Sequence, residues 1–252
     1  LRAYGSFPHP NMLGAFLAIA LVVITPFIPL IVRGKKWRYL LLSTYCLLLT
    51  GLFFTFSRAA WIAAALGTVY WILKTRAWRE RIVRQTGLLL STYCLLLVVI
   101  FFPLVRTRVG GGSRLEIQSN QERIVGYREA IQLIKAHPLF GVGIGNYTAA
   151  VARELRPNTP AWSYQPAHNI FLLILTELGL VGAFLFLGFL WQTKKFIIHN
   201  SYFIIPILIL SLFDHSFWTL HSGIILFWFT IAFNKPQRSD LRVEGGPHRI
   251  GA

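Results

Sequence analysis

A histidine and an asparagine stand side by side where an apolar run begins, in the stretch QPAHNIFLLILTELGLVG (165–182). At a helix N-terminus the positive end of the helix dipole disfavours imidazolium, so we expect His168 to be neutral at pH 7. A neutral imidazole can act as a general base. Asn169 could cap the helix or orient the imidazole. The alternative for His168 is a plain capping or interfacial role.

A glutamate follows in the same apolar run. Glu177 lies nine residues beyond His168, about 13 Å along the axis of a helix. A carboxyl at this depth of a membrane span faces the bundle interior, where it is paired or protonated. We therefore expect Glu177 to support the structure rather than to react. Asp214, His215 and His221 lie near another turn and could line the same cavity as His168.

Arginines supply the second kind of chemistry, because guanidinium binds phosphate oxygens bidentately and keeps its charge at any working pH. Arg58 stands in the short turn TFSRAAW between two apolar segments, where it either snorkels to the interface or faces a polar cavity. Arg123 and Arg128 lie on an amphipathic stretch, on a solvated face or at an anion site. The surrounding loop also contains Arg106, Arg108, Arg114, Arg153 and Arg156.

Patterns typical of metal and nucleotide sites are missing from the sequence. There is no Asp-x-Asp pair and no His-x-x-x-His, so a Mg²⁺ or Mn²⁺ site is not expected, and Cys46 and Cys94 form no metal or disulfide pattern. The glycines of GVGIGN (141–146) could form an anion nest, but a plain turn is favoured. We expect neither metal nor cofactor.

The elements that must position these residues are apolar helices. Hydrophobic residues make up 55% of the 252-residue chain and charged residues only 13%, too few for the surface of a soluble domain of this size. Stretches of about 15–24 apolar residues predict roughly seven membrane helices. They lie near 12–32, 39–56, 59–73, 87–105, 169–191, 202–216 and 219–233.

The distribution of basic residues predicts the orientation. The chain carries a formal charge of +16, and its Lys and Arg clusters follow the odd-numbered apolar segments. By the positive-inside rule these clusters are cytoplasmic, which explains the charge without nucleic acid as a partner. The expected organisation is four membrane helices in 1–105, an extracytoplasmic loop in 106–167, three helices in 168–234 and a basic cytoplasmic tail in 235–252. An amphipathic helix is expected over 120–136, with Ile124, Tyr127, Ile131 and Ile134 at helical spacing.

Four motifs in this order resemble the O-antigen ligase and polymerase superfamily of bacterial membrane glycosyltransferases. They are GSFPHPNMLGAFLAI, FTFSRAAW, ERIVGYREAIQLIKAHPLFGVGIGNY and AHNIFLLILTELGLVG, and the resemblance covers about residues 3–190. The family's members are longer, and this chain begins at Leu, so we expect a fragment covering the C-terminal half. The resemblance implies an all-α, polytopic helix bundle of the GT-C-like kind in the bacterial cytoplasmic membrane, with its active site facing outward.

The resemblance also implies the activity and its residues. It implies metal-independent, inverting transfer of a glycan from undecaprenyl diphosphate to a hydroxyl on a glycan, lipid or protein acceptor. It makes Arg58 and Arg123 the diphosphate-binding arginines and His168 the catalytic base. We expect Asn169, Glu177 and Arg128 to support these three residues.

Several functions remain open at this point. A ligase, a polysaccharide polymerase and a protein O-oligosaccharyltransferase of the same superfamily share the donor and differ in the acceptor. A transporter of lipid-linked sugars would need charged groups spread across several spans, whereas the polar residues here concentrate on one side of the predicted membrane. A structural membrane subunit is the remaining alternative, and it predicts that His168 and the loop arginines are replaceable.

Overall fold

The computed structural model describes residues 2–28, 35–109, 114–192 and 204–233, and in these ranges the chain is all-helical. The predicted tail at 235–252, together with Arg33, Lys194 and Lys195 of the basic clusters, lies outside the described residues. Within them are eleven α-helices. They are α1 (Pro10–Ile24), α2 (Lys35–Thr55), α3 (Arg58–Thr75), α4 (Arg81–Ile100), α5 (Phe102–Val109), α6 (Arg114–Ala136), α7 (Tyr147–Ala150), α8 (Ile170–Gln192), α9 (Ile204–Phe213), α10 (Ser216–Thr219) and α11 (His221–Phe233).

Three of the described helices are long and apolar enough to cross a membrane: Pro10–Phe27, Arg81–Ile100 and Ile170–Gln192. Shorter apolar helices lie at Tyr39–Thr55, Ile204–Phe213 and His221–Thr230. Most of α4 is exposed although its side chains are apolar, as expected of a helix that faces lipid. These helices fit a multi-pass membrane bundle, while a count of seven full spans stays a prediction.

The bundle is built around α1, which packs against α2 and α3, while α3 packs against α9. Small residues allow these close approaches, as is common between membrane helices. A Cβ placed on Gly14 of α1 would lie 3.0 Å from the Cβ of Ala60 on α3. A Cβ on Gly67 of α3 would lie 2.8 Å from both Val22 and Pro206. Side-chain size at these positions therefore sets how tightly three helices meet.

The predicted amphipathic helix is present as α6, which is longer than expected and packs against α8. Its buried face differs from the predicted one. Ala130 and Leu133 are fully buried beside α8, whereas Ile124 and Ile131 remain about half exposed. The apolar spacing thus identifies the helix but not the face that contacts the bundle, because the small residues on that face carry a weak hydropathy signal.

The helix α8 is broken in its middle, at Gly179, whose backbone angles are φ 64° and ψ −172°. The chain segment 138–143 lies in the gap and supplies the missing hydrogen bonds. The amides of Val142 and Gly143 donate to the carbonyls of Thr176 and Glu177, each at 2.9 Å. In return, the amide of Leu180 donates to the carbonyl of Pro138 at 2.9 Å. The glycine-rich stretch contains the expected turn, in which the amide of Asn146 donates to the carbonyl of Gly143, and it is also the partner of a broken helix.

Replacing Gly179 by alanine is expected to destabilise the folded protein by about 3 kcal/mol or more. Only glycine adopts this backbone conformation readily, and an added Cβ would lie 2.4 Å from the carbonyl oxygen of Leu139. Gly188→Ala in the same helix is the matched control. Nothing lies within 4 Å of the point that a Cβ on Gly188 would occupy, so its stability should stay within about 1 kcal/mol of wild type. Thermal melting of the detergent-solubilised variants compares the two, and equal melting temperatures would contradict the prediction.

Candidate functional site

One cavity of about 700 Å³ opens where several helix ends meet. The lining residues come from the start of α1, the turn between α2 and α3, the amino-terminal half of α6, the segment before α8 and the turn between α9 and α10. The basic residues between Lys74 and Arg84 lie at the other end of α3, about 25 Å away along its axis. The cavity is thus at the end of the bundle opposite to these basic residues.

The turn between α2 and α3 brings Arg58 to the cavity. Phe56 has a positive φ of 49°, which is uncommon for a residue with a side chain and reverses the chain sharply after α2. Ser57 then precedes Arg58, the first residue of α3. Ser57, Arg58 and Ala59 all line the cavity. The amino-terminal end of α3, with its positive dipole potential, therefore faces the cavity together with the guanidinium.

Arg123 reaches the same cavity from α6. Its Nε is buried and has no hydrogen-bond partner among the described residues. A buried guanidinium nitrogen normally bonds to something, so this donor is available for a ligand. Glu122 also lines the cavity but accepts a hydrogen bond from Gln118 at 2.9 Å.

His168 lies on the cavity wall, two residues before α8 begins. Its Nδ1 is buried and has no hydrogen-bond partner within the part of the chain that the structure describes. The hydroxyl of Tyr127 on α6 donates to the carbonyl of His168 at 3.2 Å, which ties this backbone to the helix carrying Arg123.

The structure gives a physical cause for a neutral His168. Burial, followed by the neighbouring His215, lowers the pKa of His168 to about 4, although Asp214 acts in the opposite direction. The sequence predicts neutrality from the helix dipole, whereas burial is the main cause. A neutral ring can accept a proton, and a dianionic ligand in the cavity would raise its basicity.

The sequence indicates only that Asp214 and His215 could line the same cavity as His168. In the structure both line the cavity beside His168. The His168 and His215 rings lie 5.0 Å apart between centroids. Burial alone would raise the pKa of Asp214, but His215 and two hydrogen bonds from Ser216 outweigh it and lower the pKa. His221, also suggested, is exposed at the start of α11 and is not among the lining residues.

His168, Asp214 and His215 are also the side chains best placed to share a metal ion, since one ligand atom of each lies within 4.8 Å of the others. The ligand atoms of a bound Zn²⁺ each lie about 2 Å from the metal, so in a metal-loaded site they would be closer together than the 4.8 Å limit. Asp214 already accepts hydrogen bonds from Asn11, at 3.3 Å, and from Ser216. Among the described residues, the same three side chains are candidates for proton transfer as well as for a metal ion.

The three residues expected in support lie around the cavity rather than on its wall. Asn169 caps α8, accepting from the amide of Leu172 at 3.1 Å. Glu177 is buried beside the break in α8, where its carboxylate accepts from the amide of Gly145 at 2.9 Å and from the indole of Trp218 at 2.8 Å. Arg128 is exposed on α6. The functions of these three residues stay predictions.

The amino-terminal segment contributes residues that sequence reasoning misses. Arg2, His9 and Asn11 line the same cavity as Asp214, although the sequence motifs assign no function to them. The sequence does contain an indication of their location, because polar and basic residues directly precede an apolar helix on the same predicted side as Arg58.

A family comparison covers part of this site. The O-antigen ligase family model matches residues 43–187, which is more than half of the chain and includes Arg58, Arg123 and His168. The comparison with curated proteins gives no match. Members of this family are glycosyltransferase-type enzymes, and the family points to lipid-linked glycans as substrates. The chain therefore belongs to the O-antigen ligase family.

Proposed function

We propose that the protein transfers a glycan from undecaprenyl diphosphate to an acceptor hydroxyl at the outer face of the bacterial cytoplasmic membrane. One observation carries the proposal. Arg58, Arg123 and His168 come from three separate elements, yet they line a single cavity. Two guanidinium groups and a neutral imidazole are the groups that a metal-independent transfer from a diphosphate requires.

The two arginines bind the diphosphate of the donor. The positive amino-terminal end of α3 adds to the attraction of Arg58 for the diphosphate. The buried Nε of Arg123 has a hydrogen bond left to donate. Negative charge grows on the diphosphate as the bond to the anomeric carbon breaks. Fixed donors that meet this charge in a water-poor cavity stabilise the transition state.

His168 accepts the proton of the acceptor hydroxyl. The acceptor oxygen forms a bond to the anomeric carbon as the sugar–phosphate bond breaks, and undecaprenyl diphosphate leaves with the electron pair. Attack from the side opposite to the diphosphate inverts the anomeric centre. The imidazolium that forms is stabilised by the negative charge of Asp214, which acts on His168 in this direction.

The cavity faces outward in this proposal. It opens at the end of the bundle opposite to the basic residues 74–84, and the positive-inside rule places those residues in the cytoplasm. The lipid chain of the donor then lies in the bilayer with its diphosphate at the outer surface. Family membership argues against a transporter or a non-catalytic subunit.

The acceptor separates ligase from polymerase and protein transferase. The test deletes the gene of the full-length protein in its host and restores either wild type or His168→Gln. Mass spectrometry then identifies the glycoconjugates that change. Loss of glycan from a lipid or a protein, restored only by wild type, supports transfer and names the acceptor. Loss of long chains with single repeats still attached supports a polymerase, and an unchanged profile overturns the proposal.

Transfer by the purified full-length protein is expected to persist after metal removal. The assay compares turnover of the lipid-diphosphate donor in about 5–10 mM EDTA, a large excess over trace metal, with turnover in the presence of added Mg²⁺. Equal rates within about twofold are expected because arginines neutralise the diphosphate here. A loss in EDTA that Zn²⁺ or Mn²⁺ restores would instead assign His168, Asp214 and His215 to a metal.

A further inference from the structure

A hydrogen-bond chain crosses the wall of the cavity through the side chain of Asn11. The Nη2 of Arg2 donates to Asn11 Oδ1 at 2.8 Å, and Asn11 Nδ2 donates to Asp214 Oδ2 at 3.3 Å. The amide therefore connects a cation on one side with a carboxylate on the other. Asp214 is far from the other two residues in sequence, yet all three line the cavity.

Both ends of this chain reach groups that act in the proposed transfer. The Nε of Arg2 donates to the carbonyl of Thr55 at 2.8 Å, at the end of α2 and three residues before Arg58. At the other end, Asp214 Oδ1 accepts from the amide of Ser216 at 2.9 Å and from its hydroxyl. The chain thus links the phosphate-binding turn to the carboxylate beside His168.

An asparagine suits this place for a chemical reason. A carboxamide of this length offers one acceptor to the guanidinium and one donor to the carboxylate. Aspartate would keep the first contact but place a second negative charge beside Asp214. Leucine has a similar size and offers neither contact, so it would leave one oxygen of Asp214 without its protein donor.

We infer that Asn11 is a positioning residue, which holds the Asp214 carboxylate in place to stabilise the His168 imidazolium that forms during transfer. The inference rests on the proposed function and extends it to a residue outside the matched family region 43–187. In this inference, the effect of Asn11 on the chemical step passes through Asp214. Removal of Asn11 should therefore lower the rate of the chemical step and leave donor binding nearly unchanged.

A double-mutant cycle on the purified full-length protein tests this inference. The variants are Asn11→Leu, Asp214→Asn and the two combined, assayed for kcat and for KM of a lipid-diphosphate donor. We expect Asn11→Leu to lower kcat by about 10–100-fold with KM within about threefold of wild type. The double variant should be no slower than Asp214→Asn alone, because a residue that acts through Asp214 has no effect once that carboxylate is gone.

The pH dependence of kcat distinguishes a change in the charge around His168 from a defect in packing. The charged and titratable groups around His168 are His9, Arg123, Asp214 and His215. Asn11→Asp adds a negative charge to this group, so the acidic limb of kcat should move to higher pH. A defect in packing alone would lower kcat at every pH without moving the limb.

Asn158→Leu, in an exposed part of the outer loop, is the matched control and should behave as wild type. Melting temperatures show whether each variant is folded. Wild-type kcat in Asn11→Leu, or a loss that adds fully to that of Asp214→Asn, would overturn the inference while leaving the proposed function intact. Absence of transfer by the wild-type protein would overturn both.

Discussion

Replacing His168 by glutamine is expected to lower the rate of glycan transfer by about 10²–10⁴-fold, the usual contribution of a general base. Glutamine keeps a similar size and polarity but cannot take up the acceptor's proton. Because His168 does not bind the diphosphate in our proposal, KM for the donor should change little. The measurement is kcat with purified full-length protein, lipid-diphosphate donor and the acceptor identified in the deletion strain.

His137→Gln is the matched control for this prediction. His137 directly follows α6, where its Nε2 is 2.8 Å from the carboxylate of Glu154 and its side chain is 38% exposed. It does not line the cavity, so its loss should leave transfer near the wild-type rate. Equal activity of the two variants would show that His168 takes no part in proton transfer.

Replacing Arg58 or Arg123 by glutamine is expected to lower kcat/KM for the donor by about 10²–10³-fold each, the typical loss when one donor to a developing charge is removed. Arg123 should be the more sensitive position, since its Nε is buried with no partner in the described ranges of the chain. Lysine at either position should recover part of the loss, because it keeps the charge without the bidentate geometry.

Lys135→Gln is the control for charge alone, since Lys135 lies exposed on α6, the helix that also carries Arg123. It should show wild-type kcat/KM at moderate ionic strength. Binding of donor without turnover can be followed separately, by the protection that the donor gives against thermal unfolding. If both arginine variants bind and turn over the donor normally, the diphosphate lies elsewhere.

The sequence predicts a good part of this arrangement because much of the information is local. An apolar run marks a helix, basic clusters mark one side of a membrane, and polar residues at run ends mark the other. Arg58, Arg123 and His168 all fall on the predicted outer side, and the structure places them on one cavity. The family resemblance, and not the spacing, assigns their chemistry.

What the sequence does not predict depends on contacts between distant segments. The run 169–191 is mostly apolar, so the sequence predicts one continuous helix, whereas the structure has a break at Gly179 filled by residues 138–143. The glycines at 141 and 179 are visible in the sequence, but only the fold shows that they face each other. The contact between Asn11 and Asp214 spans 203 residues of sequence, and no local pattern predicts it.

The break at Gly179 also has a consequence for how the protein enters the membrane. A continuous apolar helix can insert by itself, because all its backbone groups are paired within it. The broken form of α8 cannot, since the carbonyls of Thr176 and Glu177 find their partners in residues 142 and 143. The portion from Ile170 to the break is also too short to cross a bilayer alone. The break in α8 is therefore expected to form together with docking of the preceding loop, and not before it.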